Sequence, residues 1–237
     1  MKKIINRIPI VLLVLFFLGI ISCINNKLIR SVNQPISIPT KIKVMVNEIE
    51  NGDLLFVGTT NVDLSGAINR VTQIKNNRNY DHVGLVEKTN DSIFVLHAAP
   101  NGGSQREEIN HFYKNQKSNQ NSIVVYRLRD DYQFSIPNAV GQAKQMLGKP
   151  YNWTYISNDN EYYCSDFIER AFRKAEIFQL IPMNFKNPKT GKIDKFWIKF
   201  YKKQNLSVPQ DQPGSNPNQL AESDKLIELG PLFIEEQ

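Results

Sequence analysis

Glu161 to Phe172 reads EYYCSDFIERAF and holds one of only two cysteines in the chain. Phe167, Ile168, Ala171, Phe172 and Ala175 recur at helical spacing, so a helix begins at or next to Cys164. A cysteine at that place is either a small apolar core residue or a nucleophile. Residues far away in the sequence separate the two readings.

The other cysteine ends a different kind of segment, MKKIINRIPIVLLVLFFLGIISC. Lys2, Lys3 and Arg7 precede an uncharged run from Ile8 to Ile21, the charged start and apolar middle of an export signal. The exit Ile20-Ile21-Ser22-Cys23 resembles the lipobox of bacterial lipoproteins, which implies that Cys23 is lipidated and becomes the mature N-terminus. The expected organisation is a signal peptide over 1–22, a lipidated tether over 23–46 carrying Pro35, Pro39 and an edge strand, and one hydrolase domain over 47–237. An exported, lipid-anchored location in a bacterial cell envelope follows, and Cys164 is left as an unpaired thiol.

The 237 residues are 41% hydrophobic and 22% charged, which excludes a disordered chain and a many-span membrane protein. The formal charge of +6 falls to +3 once the signal is removed. Lysines and arginines look scattered, Lys199 to Lys203 reading as a solvated helix face, so nucleic acid is not expected as a partner. The domain is expected to be a monomer.

YDHVGLVE (Tyr80–Glu87) and SIFVLHA (Ser92–Ala98) read as two strands joined near Thr89-Asn90. Pairing across a two-residue turn sets His82 opposite His97; a four-residue loop shifts the register by two and keeps both on one face. Two imidazoles so placed can share a hydrogen bond, one orienting the other. Further strands are expected at Leu54–Val57 and Ser122–Leu128, a helix from Leu64 to Ile74 capped by Asp63 or Ser65, and another capped by Ser135 and stopped by Gly148 and Pro150. The fold class is α+β, a small antiparallel sheet packed against helices.

With a helix N-terminus and an imidazole to favour its thiolate, Cys164 is expected to have a pKa below about 8.5. Cys164, His82 and His97 then supply nucleophile, base and orienter. The same three side chains lack the close ligand spacing of a zinc site, so no metal or cofactor is expected. His111 reads as an exposed bystander. Ser104 lacks the elbow of a serine nucleophile.

These motifs resemble the NlpC-type cysteine hydrolases of bacterial cell walls in their circularly permuted, papain-like branch, the YiiX and YaeF amidases. Gly148-Lys149-Pro150-Tyr151-Asn152-Trp153 precedes Cys164-Ser165-Asp166-Phe167 as GxPYxW precedes CSGF in the family, His82-Val83-Gly84-Leu85 matches its HVGI strand, and Leu96-His97-Ala98 its IHA strand. GDLLF at Gly52, REEI at Arg106, YYCSDF at Tyr162 and PGSNPNQL at Pro213 also match. Here the cysteine follows the histidines, the order of the permuted branch. The resemblance implies a permuted papain-like fold and amide cleavage through a thioester, with Cys164 attacking, His82 as proton carrier and His97 as orienter. It also implies Tyr151 and Tyr163 as oxyanion or substrate-binding side chains. The substrate implied is a peptidoglycan stem peptide or related envelope amide; a lipid-linked amide or ester, hydrolysed or transferred, is the alternative. A lipoprotein that binds envelope fragments without turnover is the reading from another class, and the intact Cys164, His82 and His97 weigh against it.

Overall fold

The runs LLFVG and SIVVYRL lack polar alternation because both of their faces are covered. In this computed structural model, which describes residues 43–58, 64–72, 79–119 and 121–235, Leu54, Leu55, Phe56 and Val57 are all fully buried. The expected signal, Cys23, the tether up to residue 42, Asp63 and Ile74 lie outside the described residues.

Strands β1 (Val44–Met45), β2 (Leu54–Gly58), β3 (Tyr80–Lys88), β4 (Ile93–Ala99), β5 (Gly103–Glu108), β6 (Ser122–Leu128) and β9 (Leu226–Phe233) form one sheet in the order β1-β9-β6-β2-β3-β4-β5. Only the β1–β9 pairing is parallel. Short strands β7 (Ile181–Pro182) and β8 (Pro213–Gly214) pair separately. Val44 and Met45 are thus the edge strand expected within the tether. The helices are α1 (Leu64–Thr72), α2 (Ile109–Ser118), α3 (Ile136–Gln145), α4 (Cys164–Phe172), α5 (Lys195–Lys202) and α6 (Pro217–Ala221).

Side-chain alternation sorts the sheet into two cores. Leu54, Phe56, Val83, Leu85 and Leu96 face Ala143 of α3, Phe167 and Phe172 of α4 and Trp197 of α5. Leu55, Val57, Val86 and Val95 face Ile109 and Phe112 of α2. Each buried phenylalanine contributes about 1.5–3 kcal/mol by leaving water. These contacts clamp α4 across the sheet.

The β3–β4 hairpin takes the longer of the two expected registers, with Leu85 opposite Leu96 and the loop running over residues 89–92. Ser135 does stand before α3, but it does not cap the helix. Its hydroxyl turns back to the Tyr132 carbonyl at 2.7 Å, because residues 130–135 already form a 3-10 turn that occupies the helix start. Gly148 stops the segment at φ +81°, a conformation that suits glycine.

Candidate active site

The ladder between β3 and β4 runs only from Leu85/Leu96 to Lys88/Ile93. Nearer the start of β3 the edge of the strand lies open, and the first turn of α4 meets it there. The Cys164 thiol donates to the Asp81 carbonyl at 3.8 Å, one residue before His82. Tyr163, the N-cap, is extended and offers no side-chain cap, so the first N–H groups of α4 stay available. The GKPYNW lead-in is tied to this helix start by the Asn152 N–H to the Tyr162 carbonyl at 3.0 Å and the Tyr162 N–H to the Pro150 carbonyl at 3.1 Å.

Burial pushes the thiol up to about 12, with the nearby Asp81 charge adding to the rise; the main-chain N–H groups of Ser165, Val83 and Cys164 oppose it without prevailing. The expectation of a depressed thiol pKa is therefore reversed. The helix N-terminus acts as predicted, but removing the sulfur from water outweighs it. At rest Cys164 is a neutral thiol.

His82 and His97 come together as expected: His82 Nε2 lies 2.9 Å from His97 Nδ1. Gly84 lies between them on the same sheet face. A Cβ there would come within 2.4 Å of Val95 Cγ1 and 3.4 Å of His97 Cβ, so a larger residue would force Val95 to move beside the pair. Phe112 supports both rings, at 6.3 and 5.3 Å between centroids. Burial, then the neighbouring His97, hold the His82 pKa well below its ordinary value, so His82 is a neutral imidazole at neutral pH.

The chain of hydrogen bonds continues beyond His97. Its Nε2 lies 3.0 Å from Glu107 Oε2, and the other carboxylate oxygen of Glu107 takes His111 Nδ1 at 2.6 Å and the Asn115 amide at 2.9 Å. Burial opposes the charge on Glu107, but the hydrogen bond from His97, the charges of His97 and His111, and the Asn115 amide outweigh it, and its pKa is lowered. An ionised carboxylate only accepts. A neutral His97 then carries its proton on Nε2 and accepts at Nδ1 from the His82 Nε2–H, which leaves the lone pair of His82 on Nδ1.

On the other side of Cys164 is a cavity of about 60 Å³, walled by Ile68, Val71, Met183, Phe185 and Trp197 and by three tyrosines, Tyr151, Tyr155 and Tyr163. Tyr163 is held there because its hydroxyl accepts from the Ser215 N–H at 3.2 Å. Burial raises the Tyr151 pKa well above its ordinary value, so this phenol stays protonated and can donate. Tyr155 sits at φ +56°, an uncommon backbone conformation for a bulky residue. The buried atoms Ser165 Oγ, Ser215 Oγ and Trp197 Nε1 also line the cavity and have no hydrogen-bond partner among the described residues.

Cys164, Tyr151 and Tyr163 thus share one cavity, while His82 and His97 share the sheet face that carries Phe112 and are not among the cavity's walls. Ser104, set aside on sequence, is buried and spends its hydroxyl on the Met146 carbonyl at 2.6 Å. His111 is exposed as expected, yet it grips Glu107. Glu107, Ser215 and Trp197 went unrecognised as site residues, whereas Tyr155 was expected among the pocket's aromatic lining and is found there. For Glu107 a signal existed: the Pro100–Gly103 turn sets Val95 opposite Glu107 and His97 opposite Gln105, which brings Glu107 diagonal to His97 on the same face. Among the described residues no group of three or more His, Cys, Asp or Glu side chains is arranged to hold a metal ion.

No curated protein matches the chain significantly. Among solved structures, the metalloprotein yiiX from Escherichia coli O157:H7 is 19% identical, with a TM-score of 0.61 over 76% of this chain and 95% of that one, a likeness of fold. Residues 48–230 match the family described as permuted papain-like amidase enzymes, YaeF/YiiX. With its cysteine at a helix start, its histidines earlier in the chain and most of its length matched, the chain belongs to the C92 family of permuted papain-like cysteine hydrolases.

Proposed function

We propose that the protein cleaves an amide of the bacterial cell envelope, with Cys164 as nucleophile, His82 as base and His97 as orienter. The carrying observation is the His82–His97–Glu107 chain, which leaves the only free lone pair of His82 on Nδ1, beside the strand against which the thiol rests. For the attack the thiol leaves the Asp81 carbonyl and hands its proton to that nitrogen. Sulfur then adds to the amide carbon as its proton passes to Nδ1. The tetrahedral oxyanion is received by the Cys164 N–H at the start of α4 and by the neutral phenol of Tyr151. Collapse expels the amine, which takes the proton from His82, and leaves a thioester on Cys164. Water then adds to the thioester as the same nitrogen takes its proton, and collapse releases the acid while the departing sulfur takes that proton back from His82. Because the thiol is neutral at rest, proton transfer and attack are concerted, as in a serine hydrolase, and a base held neutral at pH 7 suits that step.

The substrate we propose is a peptidoglycan stem peptide or a related envelope amide. The cavity supports it by size: about 60 Å³ is less than half of the roughly 150 Å³ engineered cavity that binds benzene, room for a side chain as small as that of alanine. Its apolar walls are the observation that favours the second reading, a lipid-linked amide or ester, but a long acyl chain needs an extended groove. Export and lipid anchoring at Cys23 complete the proposal and rest on the N-terminal sequence. The test is incubation of the protein with peptidoglycan digests and with N-acyl lipids beside Cys164→Ala. Loss of a stem peptide only with intact Cys164 is expected; no Cys164-dependent change in either pool would overturn the proposal in favour of envelope binding without turnover.

A further inference from the structure

Residues 186–203, KNPKTGKIDKFWIKFYKK, hold seven lysines and one acidic residue, a formal charge of +6 that equals the charge of the entire chain. Every other charge in the protein therefore sums to zero. The acid, Asp194, is buried, caps α5 through the Phe196 N–H at 2.9 Å and pairs with Arg70, so it does not neutralise the surface. All seven lysines are exposed, and none takes part in an ion pair among the described residues.

Their arrangement follows from the helix. Trp197 and Tyr201 are buried and turn α5 inward; Lys195, Ile198, Lys199 and Lys202, at intervals of three and four residues, form the opposite stripe. Lys203 extends that stripe, and Lys186, Lys189 and Lys192 lie in the loop that leads into it. Apolar side chains are left exposed in the same region: Ile198 is 49% exposed and Leu206 is 41% exposed.

We infer that this lysine face of α5 and its leading loop docks the domain on an anionic phospholipid surface. A concentrated positive field with isolated Ile and Leu side chains suits a bilayer interface, where lysines meet headgroup phosphates and apolar tips enter the boundary. The inner side of the same helix walls the cavity with Trp197, so docking holds that wall of the cavity about one helix diameter, roughly 10 Å, from the headgroups. The inference stands apart from the catalytic reading, since it uses no residue of the His82–His97–Glu107 chain.

The test uses residues 41–237, a compact unit that contains both cores and lacks the apolar N-terminal run. Binding is measured by co-sedimentation with vesicles of phosphatidylcholine plus phosphatidylglycerol and with vesicles of phosphatidylcholine alone. The variant combines Lys195→Gln, Lys199→Gln, Lys202→Gln and Lys203→Gln; an unchanged Tm shows that it folds. Each lysine near an anionic surface is worth about a fivefold factor, so partitioning should weaken by at least about 100-fold. Wild-type binding to the anionic vesicles should also vanish near 1 M salt, where the screening length is about 3 Å. Failure to bind anionic vesicles, equal binding to neutral ones, or full binding by the variant would overturn the inference. Retention on a soluble polyanion such as heparin without vesicle binding would also overturn it, in favour of a polymeric partner.

Discussion

Replacing Glu107 with glutamine keeps the shape of the side chain and removes its charge. A hydrogen bond to a charged partner contributes about 1.5–3 kcal/mol, and here it holds His97 in the tautomer that leaves Nδ1 of His82 free. If that contribution is realised in the transition state, where His82 becomes an imidazolium and the His97–Glu107 pair balances it, kcat/KM falls about 10- to 150-fold at 1.4 kcal/mol per tenfold. The pH profile supplies a second readout that simple loss of packing would not move. The acid limb reports protonation of His82, whose pKa is already low. Taking away a carboxylate disfavours the imidazolium further, so the limb should move to lower pH while the plateau drops. The assay is kcat/KM for amine release as a function of pH. A plateau within twofold of wild type and an unmoved acid limb would refute the reasoning.

Alkylation of Cys164 by iodoacetamide should accelerate with pH up to about 10 without levelling near neutrality, because burial raises the thiol; a plateau below pH 8 would contradict this. Gly84→Ala brings a methyl within 2.4 Å of Val95 and should destabilise the fold by about 1–3 kcal/mol, read as a lower Tm, with a disproportionate loss of activity as the histidines part. Arg170→Ala leaves the fully buried Asp166 without the guanidinium whose Nε reaches both of its oxygens and should cost about 3–5 kcal/mol in urea unfolding. The folded protein resists protonation of His82, so stability should decline as pH falls below about 6.5, the value for an unfolded histidine, and His82→Gln should flatten that part of the curve. Glu107, whose folded pKa is lowered, adds a loss that sets in only below about pH 4.3 and completes as pH passes through its folded value.

Much of the site was legible because period-two alternation is strict. Once YDHVGLVE and SIFVLHA are strands of one hairpin, His82 and His97 share a face in either register. The β5 strand was not recognised, since GSQREE is polar and its Gly102-Gly103 turn was not read as a hairpin; Glu107 was lost with it. The thiol pKa was misjudged because a helix N-terminus is visible in sequence and burial is not. The cavity brings together residues from α1, α5 and the β8–α6 link, remote in sequence and carrying no shared period. The lysines of 186–203 looked scattered because the buried turns of Trp197 and Tyr201 that sort them onto one face become apparent only once α5 is packed.

The central claim is that Cys164 forms a thioester with the acyl part of an envelope amide. Intact-protein and peptide mass spectrometry on samples acid-quenched during turnover of a stem-peptide digest tests it most directly. The account predicts an acyl adduct on the peptide that contains Cys164, abolished in Cys164→Ala and accumulating when water is replaced by a poor acceptor. Turnover that persists in Cys164→Ala, or an adduct on any other residue, would contradict it.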